Sequence, residues 1–263
     1  MGRAKEIIVK VIPSKIANEF VKLKHYSGKV VPNSTLHFGC FLDNQLHGVM
    51  SYGCSMQKSS IIGLVQPCLW NEMLELNRMA FDDYLPKYSE SRCIAISIKL
   101  LKKNAPHIKW IISYADGCQC GDGTIYRASG FQLTGIKQNT TMLLMPNGQI
   151  MADKTLNNSN YKTIGQSAGY WKKNGAKPIQ GKQLRYIYLI DKTCKITVPI
   201  LPFSKIDEMG AGMYKGKKTT LAERQHAAVA HLGERLTTSQ EGAFDATLPL
   251  NITDEIQTDG ISA

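Results

Sequence analysis

Hydrophobic and polar residues in the first part of the chain follow patterns that predict a strand, a helix and a hairpin. Residues 5–12 alternate well enough for a first strand, and Ser14 then caps a helix with apolar residues on one face. Gly28 provides the stop of this helix. The runs "TLHFGCFL" and "QLHGVMSYG" flank the turn pair Asp43-Asn44, so we predict a β-hairpin.

The middle of the chain continues with strands and helices in turn. A strand is expected at residues 72–80, and a helix over residues 89–103, which Ser89 can cap, carries an apolar stripe. The β-branched run "IKWIISYA" predicts a buried strand, "GTIYRAS" a short helix, and strands resume at Phe131. The order β-α-β-β-β-α-β-α-β, without an internal repeat, indicates an α+β fold in which helices flank one mixed sheet.

The character of the sequence changes at about residue 157, where glycine and lysine become frequent. We predict a single domain over residues 1–205 that includes a basic insert at 157–186. Beyond residue 209 the apolar periodicity is lost, so residues 206–263 are expected to form a partly disordered C-terminal tail.

Composition limits the class of protein. The chain has 263 residues, of which 43% are hydrophobic and 20% charged, as in a globular protein. The sequence has no run of about 18 apolar residues and no signal-peptide pattern at its start, so we predict no contact with a membrane. Its seven scattered cysteines are typical of reduced thiols in a cytoplasmic protein.

Charge points to a polyanionic partner. The formal net charge is +11, although residues 236–263 contain five acidic residues and no Lys or Arg. The rest of the chain is therefore even more basic than the total, and nucleic acid is the commonest partner of such a surface.

The most basic stretch lies between Tyr170 and Tyr186, where aromatic residues stand among five cations and no acid. Cations that bind phosphates and flat rings that stack on bases suit a nucleic-acid groove. The candidate contacts are Lys172, Lys173, Lys177, Lys182 and Arg185. A glycine-rich surface loop with aromatics packed inward explains the same residues equally well.

The span "IISYADGCQCGDGTIYRASGF" (111–131) is rich in residues that carry chemistry. Cys118 and Cys120 form a lone Cys-x-Cys, so a structural zinc site is only weakly indicated. The glycines lack the GxxxxGK[ST] spacing of a phosphate loop. What remains is a layout in which a strand ends at Asp116 and a short helix holds Tyr126 before the next strand begins.

That layout resembles the acetyltransferases of the GNAT superfamily, in which a tyrosine on this helix protonates the leaving thiolate of the acyl donor. The resemblance implies that "ELNRMAF" faces the donor and that the next helix directs its first N–H groups at a pyrophosphate. The donor-binding residues it implies are Arg78, Ser89, Ser91 and Arg92. "DDYLPKYSESR" replaces the usual glycine-rich Q/RxxGxG/A loop, which leaves the identity of the donor open.

Five short motifs make this resemblance more specific, because together they indicate one family. "KHYS" (24–27), "ELNRM" (75–79), "SYAD" (113–116), "GTIYRASGF" (123–131) and "GKQLRYIY" (181–188) together resemble the Mom DNA-modification proteins of tailed bacteriophages. Membership implies a GNAT-like acyltransferase fold and conversion of adenine in phage DNA to N6-carbamoylmethyladenine, which protects the DNA from host restriction. It also implies double-stranded DNA as the partner and the cytoplasm of the bacterial host as the location. The functional positions it implies are His25, Tyr26, Arg78, Asp116 and Tyr126.

The reaction gives these residues candidate roles. Adenine N6 is a poor nucleophile because its lone pair is delocalised, so a base must remove a proton as the new bond forms, and His25 or Asp116 suits this role. Tyr26 stacks on the base or binds a phosphate, and Tyr126 is the candidate acid. Each of the four also has an ordinary explanation as a helix cap, a turn cap or a packed ring.

The sequence leaves the acyl donor and the metal requirement open. The family product contains a nitrogen that acetyl-CoA lacks, so the donor is either acetyl-CoA, by fold resemblance, or a glycyl group on a tRNA or a thioester. Iron is a further candidate cofactor, with His25, Tyr26 and Asp116 as ligands. Two other functions fit: a non-catalytic nucleic-acid-binding protein on a degenerate GNAT scaffold, and a GNAT N-acetyltransferase that acts on an amine outside DNA.

Overall fold

The computed structural model describes residues 3–118, 121–214, 217–220 and 223. Its strands are β1 (Ile8–Val11), β2 (Ser34–Leu42), β3 (Gln45–Gly53), β4 (Val65–Gln66), β5 (Met73–Phe81), β6 (Trp110–Asp116), β7 (Gln132–Leu144), β8 (Ile150–Ala152), β9 (Lys177–Leu189), β10 (Lys195–Ile196), β11 (Met213–Tyr214) and β12 (Lys217–Lys218). Its α-helices are α1 (Ser14–Lys24), α2 (Lys58–Ile61), α3 (Ser89–Asn104), α4 (Thr124–Ala128), α5 (Asp153–Leu156), α6 (Ser159–Thr163), α7 (Ala168–Lys173) and α8 (Ser204–Glu208). Two short 3-10 helices cover Arg3–Glu6 and Trp70–Glu72.

Eight strands form one mixed sheet in the order β1-β2-β3-β5-β6-β9-β7-β8. The predicted α+β class, with a mixed central sheet flanked by helices, is confirmed. Small additional sheets pair β10 with β4 and β11 with β12. No helix in the described part of the chain is long and apolar enough to cross a membrane.

The two faces of the sheet are covered by different helices. The predicted stripe of α3, including Ile94 and Leu101, is buried against Leu76 and Ile111 on one face. The opposite face is covered by α1, which packs on β2, β3 and β5, and by the segment around α2 and β4. Burial of large side chains such as Trp110, which is 1% exposed, stabilises each layer by about 1.5–3 kcal/mol per residue.

The sheet splits between β5 and β6. These parallel strands pair only through Met73–Glu75 and Trp110–Ile112. Beyond that point β5 follows β3 as far as Phe81, whereas β6 follows β9 as far as Asp116. Because each strand keeps a different neighbour, their carboxyl-terminal halves separate and leave a cleft in the middle of the sheet.

The predicted basic insert is not a loop along its whole length. Its last part forms β9, which lies in the sheet between β6 and β7. Leu184 and Tyr186 are fully buried on the α3 face, and Gln183 and Arg185, which alternate with them, lie on the other face. The alternation expected of a strand is therefore present, although lysine and glycine make it hard to recognise in the sequence.

Two predicted helix caps differ from the structure. Pro13, and not Ser14, occupies the N-cap position of α1, and no side chain caps that helix. Tyr88, with a φ of 71°, precedes α3, and the Ser89 hydroxyl donates to the carbonyl of Pro86. Most of the predicted C-terminal tail, residues 224–263, lies outside the described residues.

Candidate active site at the split in the sheet

A cavity of about 300 Å³ lies where β5 and β6 separate, on the face that α1 and α2 cover. This volume is at the lower end of the range for small-molecule sites. Residues from the α1–β2 loop, the β3–α2 loop and four strands line it, among them Asn33, Ser55, Glu75, Arg78, Tyr114 and Arg185. We call it the split cavity.

A β-bulge explains why two of these residues share one wall. Strict alternation along β5 would place Glu75 and Arg78 on opposite faces, because they are three residues apart. Leu76 pairs with Tyr52 and Arg78 with the adjacent Ser51, so Asn77 is the extra residue of a bulge. The bulge reverses the alternation, and both Glu75 and Arg78 line the split cavity.

Burial shapes the electrostatics of the cavity wall. It raises the pKa of Glu75, which also has a hydrogen bond to Ser55 and lies near Arg78. Burial, together with the charge of Glu75, raises the pKa of Tyr114 to about 12. Arg185 is fixed by bonds from Nε to Thr134 Oγ1 (3.0 Å) and from Nη2 to the Thr134 carbonyl (2.8 Å).

Arg78 occupies the centre of the site. Its Nε donates to the backbone carbonyl of Lys29 and its Nη1 to that of Asn77, both at 3.0 Å. Burial lowers the pKa of Arg78, whereas the nearby Tyr26, Glu75 and Tyr126 favour its charge. Two of the predicted phenols, from distant parts of the chain, therefore lie within electrostatic reach of the same guanidinium.

His25 and Tyr26 lie on the loop that leaves α1. Their rings are 4.0 Å apart between centroids, with His25 buried and Tyr26 58% exposed. Burial, with a further contribution from the charge of Arg78, lowers the pKa of His25 to about 4, so its imidazole is neutral at pH 7. Ser27 N–H donates to His25 Nδ1 at 3.1 Å, which leaves the ring proton on Nε2. In this tautomer His25 presents a donor and not a base.

Asp116 and Tyr126 lie on the other side of the cleft. The Asp116 carboxylate accepts bonds from Cys118 N (3.0 Å) and Asn139 Nδ2 (3.3 Å) at the end of β6. Tyr126 is 9% exposed on α4, and its ring packs at 5.2 Å from that of Tyr186. Tyr126 therefore packs its ring in the core and Asp116 caps a turn, in addition to any role that either residue has in the reaction.

The residues predicted to bind the donor lie at the start of α3, apart from Arg78. Ser91 Oγ donates to the Tyr88 carbonyl at 3.3 Å, and Arg92 Nη2 donates to the Lys5 carbonyl at 3.1 Å. Ser89 is fully buried. The side chains of Ser89 and Ser91 therefore hold the turn before α3, that of Arg92 binds the N-terminal segment, and donor binding by these residues stays a prediction.

The predicted nucleic-acid contacts do not form one cluster. Lys172 pairs with Asp153 at 3.0 Å on α7, and Lys173 is exposed beside it. Lys177 and Arg185 are eight residues apart on β9, about 26 Å at ~3.3 Å per residue. Lys182 lies on the opposite face of that strand, because it is three residues from Arg185.

Sequence reasoning missed most of the residues that line the split cavity. Lys137, on β7 opposite Gln183, adds a cation to the wall. Glu75, Asn77 and Tyr114 were quoted only as parts of strands, because no local pattern distinguishes a cavity-lining strand residue from an exposed one. For the iron hypothesis, no group of three or more His, Cys, Asp and Glu among the described residues could hold a metal ion, so we derive no step through iron.

These features define an α+β protein with a polar cavity at a split in its mixed sheet. The chain belongs to the Mom protein family, whose family model matches residues 6–205. It is 33% identical over 195 residues to "Methylcarbamoylase mom" of Escherichia phage Mu, a match that covers 73% of this chain and 79% of the relative.

The chain is also similar to solved structures of acetyltransferases. The IAA acetyltransferase from Bacillus cereus has a TM-score of 0.41 and 11% identity, over 70% of this chain and 99% of its own. A GNAT family acetyltransferase from Elizabethkingia anophelis with acetyl-CoA bound has a TM-score of 0.41 and 12% identity, over 70% of this chain and 97% of its own.

Proposed function

We propose that this protein is a phage transferase that adds the carbamoylmethyl group to N6 of adenine in DNA and so protects phage DNA from restriction. Family membership and the phage Mu relative's description as a methylcarbamoylase support the reaction class. The observation that carries the proposal for this chain is the position of Arg78, which lies within electrostatic reach of His25, Tyr26 and Tyr126 at the split.

The split provides two approaches to one reaction centre. The split cavity opens on the face covered by α1 and α2, whereas Tyr126 belongs to the core on the α3 face. In the proposed complex the base enters from the cavity and the donor from the α3 face, so the acyl carbon and N6 meet between β5 and β6. Arg78 then stabilises the negative charge that develops on the acyl oxygen.

Each polar residue at the centre has a defined task in this scheme. His25 donates from Nε2, as the bond from Ser27 N–H to Nδ1 dictates. Tyr126 supplies a proton to the leaving group, and Asp116 is the base that accepts the N6 proton. The exposed ring of Tyr26 stacks on the purine.

The target base must leave the duplex to reach this centre. N6 lies within a stacked base pair, and extrusion costs a few kcal/mol that phosphate contacts offset. The net charge of +11 favours such contacts, and Arg185 and Lys137 are, besides Arg78, the cations on the cavity wall. The site of action is the cytoplasm of the bacterial host, where phage DNA is replicated.

The donor that we propose is a glycyl group carried on a tRNA or a thioester. Its carbonyl carbon bonds to N6, the ester or thioester bond breaks, and the N6 proton leaves to the base while the leaving group takes a proton. The product, N6–C(=O)–CH2–NH2, is an isomer of N6–CH2–C(=O)NH2. A rearrangement in which the two nitrogens exchange carbons, so that the N6–C(=O) and CH2–NH2 bonds break and the N6–CH2 and C(=O)–NH2 bonds form, conserves every atom and needs no oxidant or reductant. Incubation of protein and DNA with labelled glycyl-tRNA should label adenine, whereas label that enters only from acetyl-CoA would overturn this donor.

The test of the function is the mass of nucleosides from plasmid DNA after expression of the full chain. We expect an adenine nucleoside heavier by one acetamide unit. Unmodified DNA that the protein nevertheless binds tightly would favour a non-catalytic nucleic-acid-binding protein, and acetyl-CoA turnover without DNA would favour an N-acetyltransferase for another amine.

A further inference from the structure

Two asparagines on the wall of the split cavity have unused hydrogen-bonding capacity. Asn33 Oδ1 and Asn77 Nδ2 are buried without a partner among the described residues. The other half of each amide is committed, since Asn33 Nδ2 donates to the Cys54 carbonyl and Asn77 Oδ1 accepts from Ser34 Oγ at 2.8 Å. The large majority of buried side-chain polar atoms in proteins are paired, so unpaired amide atoms on residues that line a cavity favour bonds that a ligand completes.

Glu75 is the third polar group of this wall. Its carboxyl lines the cavity, with a hydrogen bond to Ser55 on one side and Arg78 nearby. The wall thus combines one amide donor, from Asn77, with acceptors from Asn33 and Glu75. Asn77 is also the extra residue of the bulge in β5, and this bulge places Glu75 and Arg78 on the same wall of the cavity.

We infer that Asn33, Glu75 and Asn77 form the specificity wall of the split cavity and select a base that presents an exocyclic amine beside a ring nitrogen, as adenine does. The inference rests on the proposed function and assigns the part of the site that recognises the substrate. The acceptors of Asn33 and Glu75 receive one N–H group of the amine, the other N–H group is left for Asp116, and the Asn77 amide donates to the ring nitrogen.

The same wall rejects a base with a carbonyl at this position. Hypoxanthine, which resembles adenine in shape, would direct a carbonyl oxygen at the acceptors of Asn33 and Glu75 and a ring N–H at the donor of Asn77. Every bond would then be replaced by a contact between like groups. Sites that hydrogen-bond a substrate discriminate strongly against analogues that leave their polar groups unpaired.

The test measures binding to labelled duplexes that are identical except for one bulged base. With the full chain at fixed salt concentration, we expect the adenine duplex to bind about tenfold or more tightly than duplexes with hypoxanthine or with purine, which lacks the amine. Equal affinity for the three duplexes would overturn the inference. This comparison uses only the wild-type protein, so it decides the question even if substituted proteins fail to fold.

Substitutions in the specificity wall test whether its residues cause the preference for adenine. Glu75→Gln replaces an acceptor oxygen by an amide donor, and Asn77→Leu removes the donor, so each should reduce the ratio of the affinities for the adenine and hypoxanthine duplexes several-fold. Glu19→Gln, an exposed position on α1, is the matched control and should keep the full preference. Retention of the preference in both wall variants would overturn the assignment.

The outcome is separable from that of the proposed function. Wild-type protein that modifies plasmid adenine but shows no preference among the bulged bases would refute the specificity wall alone. A clear preference for adenine with unmodified plasmid DNA would refute the transferase function and leave the wall as a base-recognition site.

Discussion

Arg78 fastens the loop after α1 to the centre of the sheet, because its Nε donates to the backbone carbonyl of Lys29 at 3.0 Å. His25 and Tyr26 lie on that loop, and the charge of Arg78 reaches both of them. A single side chain thus both positions the loop and sets the electrostatics of the candidate site.

We expect Arg78→Lys to abolish most of the modification, because one ammonium group cannot reproduce the bonds of the guanidinium to the carbonyls of Lys29 and Asn77. The loss should exceed about 100-fold, and the free energy of unfolding should fall by about 1–3 kcal/mol. Plasmid nucleoside analysis and urea denaturation measure the two effects. Lys29→Ala is the control, since only the backbone of Lys29 takes part, and a fully active Arg78→Lys protein would contradict the assignment.

Stability should fall in acid because of His25. Burial lowers the pKa of His25 in the folded state from 6.5 to about 4, so the unfolded chain binds the proton first. The contribution of the neutral imidazole is complete above pH 7 and is lost as the pH falls from 6.5 towards 4. At ~1.4 kcal/mol per pKa unit, the loss is at most about 3.5 kcal/mol.

Urea denaturation at pH 7.5, 5.5 and 4.5 tests this dependence. The decrease in unfolding free energy between the first and last pH should be smaller in His25→Gln than in the wild type. His107→Gln, at an exposed histidine, should retain the wild-type decrease. If His25→Gln and His107→Gln behaved alike, the acid sensitivity would have to come from other groups.

The elements of this protein were predictable because their signals are local. The stripe of Ile94, Ile98 and Leu101 repeats at helical spacing, and all three are buried as the pattern requires. The central position of β9 was not predictable, because strand order depends on pairing between segments far apart in the chain. Gln183 and Arg185 of this strand also line the split cavity, and such polar side chains obscure the strand pattern.

The candidate site was predictable only in part. The family motifs led to His25, Tyr26, Arg78 and Tyr126, which the structure brings into electrostatic contact through Arg78. Glu75 was not found, because alternation in β5 assigns it to the face opposite Arg78 and the bulge that reverses this pattern has no mark in the sequence. A bulge reflects the fit between two strands, so one strand alone does not reveal it.

Tyr126→Phe should separate packing from chemistry. The ring remains between its neighbours Phe131 and Tyr186, so the free energy of unfolding should change by less than about 1.5 kcal/mol. Loss of the proposed acid should lower the rate of modification by about 10²–10⁴-fold. Tyr186→Phe is the matched control: it loses the bond from its hydroxyl to the Asp122 carbonyl and some stability, but it should keep its activity. Wild-type rates in Tyr126→Phe would exclude the phenol as the acid.

The salt dependence of DNA binding should identify the cations that touch phosphates. Each phosphate contact contributes about −0.9 to the slope of log K against log salt concentration, so Lys137→Ala should reduce the magnitude of the slope by about that amount. Lys172→Ala should have less effect, because its ammonium already pairs with Asp153. Lys99→Ala, on the exposed side of α3 and away from the split cavity, should leave the slope unchanged. Equal slopes for the Lys137 and Lys99 variants would mean that DNA does not approach the protein from the cavity side.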